Sequence, residues 1–225
     1  MHPRHQIVAR GMSTDILAPA VDAPHDDLLT IDPETADLLF REARTVVRFD
    51  DGDVSDAQVQ AAYDLVRWGP TMMNTLPLRL LLVRTPEARE RLAAHMNEGN
   101  RAKTLAAPLT IVAAADPAFH ERMDVLAPHM PGAHDMFEGY GVDGRADVAQ
   151  QSALIQIGYL VVGLRAAGLH AGPMGGFDKD GVDAEFFAEN GWRSQLVINV
   201  GTPAAEGASY PRQARLSFDE VSTAV

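Results

Sequence analysis

A few short segments bring together side chains able to hold a small ligand. Gly172-Pro173-Met174-Gly175-Gly176-Phe177-Asp178 is the first. Glycine allows close approach and positive φ, so this backbone could present N–H groups to a ligand, although a plain turn suits the same residues. It is neither GxGxxG nor GxxxxGK[ST], so neither a Rossmann loop nor a P-loop is indicated. Arginines come next, Arg44 and Arg48 towards the N-terminus and Arg212 and Arg215 towards the C-terminus. Paired guanidinium groups suit a phosphate; pairing with Asp50, Asp51 and Glu220 at the surface is the competing reading. Thr71 and Asn74 lie in Pro70-Thr71-Met72-Met73-Asn74-Thr75-Leu76-Pro77, and Asn100 and Lys103 in Asn97-Glu98-Gly99-Asn100-Arg101-Ala102-Lys103. Amide and ammonium groups match the carbonyls and ring nitrogens of a heteroaromatic ligand, and turn chemistry explains either segment taken alone.

His120, His129 and His134, with Glu121, Asp124 and Asp135 close by, invite a metal reading. Their spacing fits no HExxH or compact zinc pattern, so no metal site is expected, and they read as loop histidines that solvate or lean over a substrate. Met72, Met73, Met123, Met130, Met136 and Met174 read as adaptable apolar wall. The chain has no cysteine, which excludes thiolate nucleophiles, disulfides and CxxC pairs and leaves redox chemistry to a bound cofactor. Its 31 acidic against 19 basic residues give a net charge of −12, which disfavours nucleic acid and anionic membranes as partners.

The elements that must position these residues follow from local pattern. Residues 1–28 lack apolar periodicity and read as a flexible arm or appended extension, with Met12 an alternative start. They also lack the apolar centre and cleavage site of a secretory signal, so the cytoplasm is the expected compartment. Residues 29–225 are expected to form one α+β domain. Asp32-Pro33-Glu34 starts a helix that carries Arg41, Arg44 and Arg48 near its end. Ser55 and Gln58 make a capping box, and Val59, Ala62, Tyr63 and Val66 share one face of the helix that follows. Leu78 to Val83 and Leu109 to Ala115 read as buried strands, with a surface helix over 87–96 between them. Residues 120–144 read as a loop-rich excursion over the site. Ala146 to Ala167 is a helix apolar on most sides beyond Leu154, needing burial in the core or against another subunit. Gly168 caps it, a short helix covers 182–187, and Leu196 to Val200 is the last strand.

Taken in order, these segments resemble the FMN-dependent nitroreductase family over residues 38–220, and most closely its malonic semialdehyde reductase (3-hydroxypropanoate dehydrogenase) branch. The family's Arg-Ser is matched by Arg44-Thr45, its Pro-Ser-Ser-x-Asn-x-Gln-Pro by residues 70–77, its Asn-x-x-Lys by Asn100 and Lys103, its Pro-x-x-Gly-Phe-Asp by residues 173–178, and its C-terminal basic pair by Arg212 and Arg215. GNRAK, GPMGGFD and PRQARLSFDE carry the likeness to the branch. The resemblance implies a central mixed or antiparallel sheet surrounded by helices, and an intertwined homodimer with FMN at the interface. Arg44, Thr45, Arg212 and Arg215 would surround the phosphate and ribityl chain, and Asn100 and Lys103 the pyrimidine edge. Thr71 and Asn74 would come from the partner subunit. Pro173 and Met174 would lead to the backbone of Gly175 and Gly176 beside the N5 and O4 side.

Hydride would pass from NAD(P)H through the flavin to a small-molecule acceptor, with no catalytic side chain required. Leu76 stands for the usual Gln, Leu78 for the usual aromatic, and Gly175 where many members carry an acid. These departures favour malonic semialdehyde over a nitroarene. A general nitro or quinone reductase, and a flavin-storing or sensing protein without turnover, are the alternatives.

Overall fold

The computed structural model describes residues 25–225. Most of the expected arm, including Met12, lies outside them; its last residues form a short 3-10 turn, Asp26–Leu28, with Asp26 paired to Arg41.

A four-stranded sheet of order β1-β2-β4-β3 is built from β1 (Leu78–Val83), β2 (Leu109–Ala115), β3 (His170–Met174) and β4 (Arg193–Gly201). Every pairing is antiparallel, which settles the expected mixed or antiparallel sheet as antiparallel. β2 is buried along its whole length because both its faces are covered, which is why it reads as an unbroken apolar run rather than an alternation. On one face, Ile111 and Ala113 pack with Val59 and Ala62 of α2 (Asp56–Val66) and with Ile157, Leu160 and Leu164 of α7 (Gly141–Ala166). On the other, Val112 and Ala114 pack with Leu92 of α3 (Pro86–Ala94) and Val182 of α8 (Lys179–Phe186). Burying each Leu, Ile or Val side chain contributes about 1.5–3 kcal/mol, so the two layers lock the sheet between them.

Local signals set the ends of these helices. Ser55 and Gln58 form the reciprocal capping box, Thr85 and Asp178 accept from the first turns of α3 and α8, and Gly168 adopts φ 75° just after α7. The first helix departs from expectation. Asp32 caps α1 (Pro33–Ala36), which passes into a π turn ending at Arg41, so Arg44 and Arg48 lie in the extended segment beyond it. That segment is held by hydrogen bonds from Val46 N to Ala171 O (3.1 Å) and from Asp50 N to Thr202 O (3.0 Å), neither readable from local pattern.

Residues 98–106 form a helix, α4 (Glu98–Ala106), and β3 is a strand the sequence did not announce, since its HAGPM carries Gly and Pro. Proline is tolerated there because β3 is an edge strand of the chain's sheet. The excursion is helical rather than loop-rich, with a 3-10 turn Phe119–Arg122, α5 (Met123–Leu126) and α6 (Ala133–Glu138). Phe119, Met123 and Phe137 pack there with Ala149 and Ala153 of α7 in a satellite core. A last turn, α9 (Phe218–Val221), lies in an exposed C-terminal segment.

Candidate active site

Strand β3 and helix α4 face each other across a cavity of about 240 Å³. Gly172, Pro173 and Met174 form one wall, Asn100 and Lys103 the other, and Thr45, Val46 and Val47 close one side. The extended segment lies directly on β3, and residue 172 can only be glycine there: a Cβ would sit 2.3 Å from the Val46 carbonyl oxygen. Asn100 and Lys103 are three residues apart on α4 and so point the same way. The Asn100 amide donates to the Gly176 carbonyl at 3.1 Å, an oxygen that also accepts from Asn97 N at 3.1 Å. These bonds fix the Gly175-Gly176 turn against the start of α4.

Among the described residues no carboxylate lines this cavity, although the chain as a whole is strongly acidic. Lys103 enters no ion pair among the described residues. An uncompensated ammonium beside two amides, Asn100 and Asn199, and two hydroxyl residues, Thr45 and Tyr210, suits a ligand rich in acceptors or anionic. The sequence missed the second amide, Asn199, a lone polar residue in the apolar run LVINV. It accepts from Thr110 Oγ1 at 2.8 Å and borders the cavity beside Met174. Tyr210, Val46 and Val47 are further wall residues that local pattern does not single out.

An adjoining cavity of about 350 Å³ shares Val47 and Lys103 with the first and is flanked by Arg48 and Asp51. Near the first, Arg44 donates to the Tyr210 carbonyl and Arg212 to the Arg41 carbonyl, so the segments around 41–44 and 210–212 clasp each other. Arg215 is exposed and, among the described residues, donates only to the carbonyls of Gln213 (3.2 Å) and Ala214 (3.1 Å).

Thr71 and Asn74 line neither cavity in this chain. Their segment carries Met73, Asn74 and Leu76 at φ of 50°, 58° and 43°, the left-handed region that non-glycine residues adopt at a cost of about 1–3 kcal/mol each. Hydrogen bonds from Asn74 Nδ2 to Leu126 O (2.7 Å), from Leu76 N to Thr71 Oγ1 (3.3 Å) and from Leu78 N to Gln156 Oε1 (3.0 Å) impose that shape. Leu78 is a core residue of β1, so its departure from the family's aromatic says nothing about substrate. Gly175 is open: a Cβ there would meet only Leu196 Cδ2, at 3.8 Å. Arg101 lines neither cavity and donates to the Met96 carbonyl at 2.9 Å.

At the start of β3, Arg165 lies 3.1 Å from His170 Nδ1. Burial first, and the guanidinium second, lower the pKa of this imidazole, which is the neutral acceptor the contact requires. In the excursion, His120, Glu121 and His134 converge, whereas His129 and Asp124 do not join them.

The chain matches the model of the Nitroreductase family over residues 40–202. A Streptomyces coelicolor protein provisionally named NADH dehydrogenase/NAD(P)H nitroreductase is 51% identical over 88% of this chain and 99% of its own length. A similarly named Stenotrophomonas maltophilia protein is 43% identical over 85% and 96%. A nitroreductase family protein from Streptococcus pneumoniae superposes with a TM-score of 0.70 at 21% identity, over 83% of this chain and 98% of that one. One from Exiguobacterium sibiricum, solved in complex with FMN, gives 0.72 at 18% identity, over 85% and 97%. No helix among the described residues is long and apolar enough to cross a membrane.

Proposed function

The chain belongs to the nitroreductase family, and from that premise we propose that it reduces malonic semialdehyde, or a similar small anionic aldehyde, to 3-hydroxypropanoate. It is an FMN-dependent oxidoreductase with NAD(P)H as co-substrate. The observation that carries the site is the carboxylate-free cavity between β3 and α4, whose donors match what FMN offers. Asn100 and Lys103 would hold the pyrimidine edge, where the ammonium stabilises negative charge gathering on the ring carbonyl side. Pro173 and Met174 would carry the Gly175-Gly176 backbone to the other side of the ring. Thr45, Arg44 and Arg212 would take the ribityl and phosphate end, with Arg215 joining from the exposed C-terminal segment. Bound there, FMN supplies a centre that takes a hydride from NAD(P)H and passes it to the substrate.

Overall, the aldehyde carbon would gain a hydride, its oxygen a proton from solvent, and the nicotinamide would leave as NAD(P)+. The open space at Gly175 supports a small acceptor, because an acid in that place would repel a carboxylate substrate. A homodimer completes this reading. Phe40, Leu65, Ile155 and Tyr159 are 56%, 60%, 46% and 45% exposed around an apolar groove of about 620 Å³, and Thr71 and Asn74 would then reach the partner's flavin. A cytoplasmic location, where NAD(P)H is at hand, belongs to the same proposal.

The names of the relatives favour a second reading, a general nitro or quinone reductase. Steady-state turnover of malonic semialdehyde, nitrofurazone and a quinone, with NADH and NADPH each tried, separates them. The proposal requires kcat/KM to be highest for the aldehyde. A nitroarene ahead by tenfold or more with both donors would overturn it, and no turnover of any acceptor would favour flavin storage.

A further inference from the structure

We propose that His120, Glu121 and His134 form a binding site for a divalent transition-metal ion, with zinc the best match, in the excursion between β2 and α7. Spacing along the chain argues against a metal here because the ligands come from two elements that only the fold brings together. The turn Phe119–Arg122 supplies His120 and Glu121, and α6 supplies His134. Phe119 and Phe137 fix the two elements together, edge to face with ring centroids 4.9 Å apart, and the imidazoles of His120 and His134 stack at 5.1 Å.

One ligand atom from each of the three residues lies within 4.8 Å of the others. Glu121 turns one carboxylate oxygen towards each histidine, Oε1 at 3.7 Å from His120 Nε2 and Oε2 at 3.8 Å from His134 Nε2. Both separations are too long for hydrogen bonds but close to the spacing of atoms that share one tetrahedral ion at about 2.0–2.2 Å. His134 Nδ1 is 2.9 Å from Asp135 Oδ1; donating there leaves the Nε2 lone pair facing Glu121, the carboxylate–histidine–metal arrangement that orients a ligating imidazole. His120 is almost fully buried and its Nδ1 faces no polar partner, so Nε2, the nitrogen turned towards Glu121, is the one that would ligate. That Nε2 lies 2.8 Å from Glu138 Oε2, which Arg145 holds at 2.7 Å, a hydrogen bond whose proton the incoming ion would displace to solvent, leaving Glu138 within reach as a fourth ligand. Glu121 and His134 are 65% and 47% exposed, so both can close on an ion while His120 stays fixed. Mixed imidazole and carboxylate ligands select zinc-like ions over calcium, which takes oxygen alone. Occupancy would staple α6 to the preceding turn.

The competing explanation is a protonated His134 shared by its carboxylate neighbours, with no ion. Calorimetric titration of zinc chloride into the FMN-loaded, chelator-stripped protein decides. One zinc per chain is expected, with affinity falling by about tenfold or more in His134→Ala and in Glu121→Gln, unchanged in His129→Ala, and with calcium binding at least tenfold more weakly than zinc. Absence of saturable binding in the unaltered protein, equal affinity in the His134 and Glu121 variants, or calcium binding as tightly as zinc would each overturn the proposal.

Discussion

The side-chain amide of Asn100 donates to the carbonyl of Gly176 at 3.1 Å, and a Cβ on residue 176 would lie 2.9 Å from that same nitrogen. The two residues are therefore matched: the amide can reach the turn only while residue 176 has no side chain. Gly176→Ala is expected to displace the tips of Asn97 and Asn100, which can swing away, so unfolding free energy should change by no more than about 1 kcal/mol. FMN affinity should fall about fivefold or more, the equivalent of one hydrogen bond of about 1 kcal/mol. Urea unfolding and a flavin fluorescence titration read the two effects separately. Large destabilisation with unchanged FMN affinity would contradict the matching.

Two nearby glycines should behave in opposite ways. At Gly172 a Cβ would meet the Val46 backbone oxygen at 2.3 Å, so Gly172→Ala must part β3 from the extended segment, at a cost of about 1–3 kcal/mol. Gly175→Ala meets only ordinary contact, and its thermal midpoint should match that of the unaltered protein. Equal midpoints for the two variants would mean that the 45–47 segment does not lie on β3.

Stability should also depend on pH through His170. Burial and the neighbouring Arg165 hold its pKa below the ordinary 6.5. Between those two values the unfolded chain binds more protons than the folded one, so stability rises with pH there and is lost as pH falls through 6.5 towards the folded value. His170→Gln should flatten this part of the curve of unfolding free energy against pH, measured from pH 5 to 8. An unchanged slope would place the titration elsewhere.

The exposed face of α7 leads to a prediction about assembly. Light scattering at micromolar concentration should give a dimer, and Ile155→Glu, placed on the rim of the groove beside Tyr159, should shift it towards monomer and weaken FMN retention with it. Stable dimer interfaces bury upwards of about 1,200 Å², more than one exposed side chain can supply, so the variant tests the whole face. A monomeric unaltered protein that still holds FMN would remove the partner subunit from the site.

Much of this arrangement was legible in local sequence. The capping box at Ser55, the cap at Gly168, and the apolar runs of β1, β2 and β4 follow from short-range chemistry and appear as read. β3 was not legible, because its glycine and proline answer to Val46 and to the sheet edge, both remote in sequence. The same holds for Arg44 and Arg212, whose clasp joins opposite ends of the chain, and for Asn199, whose amide matters only because Thr110 and Met174 lie alongside. Leu78 shows the converse: in the sequence it stands where the family carries an aromatic beside substrate, yet its side chain belongs to the core. In the excursion, helix propensity was masked by Gly and Pro, and packing of Phe119 on Phe137 supplied the order.

FMN in the cavity between β3 and α4, with Lys103 as its cation, is the reading on which the proposed activity rests. The most direct measurement is the flavin released when the purified, FMN-reconstituted protein and its Lys103→Ala variant are denatured, with the FMN dissociation constant of each. FMN is expected at one per chain in the unaltered protein, with binding weakened by about 1.5–3 kcal/mol in the variant, the range of a hydrogen bond to a charged group. FAD as the bound flavin, no flavin after reconstitution, or a variant that binds FMN as tightly as the unaltered protein would contradict it.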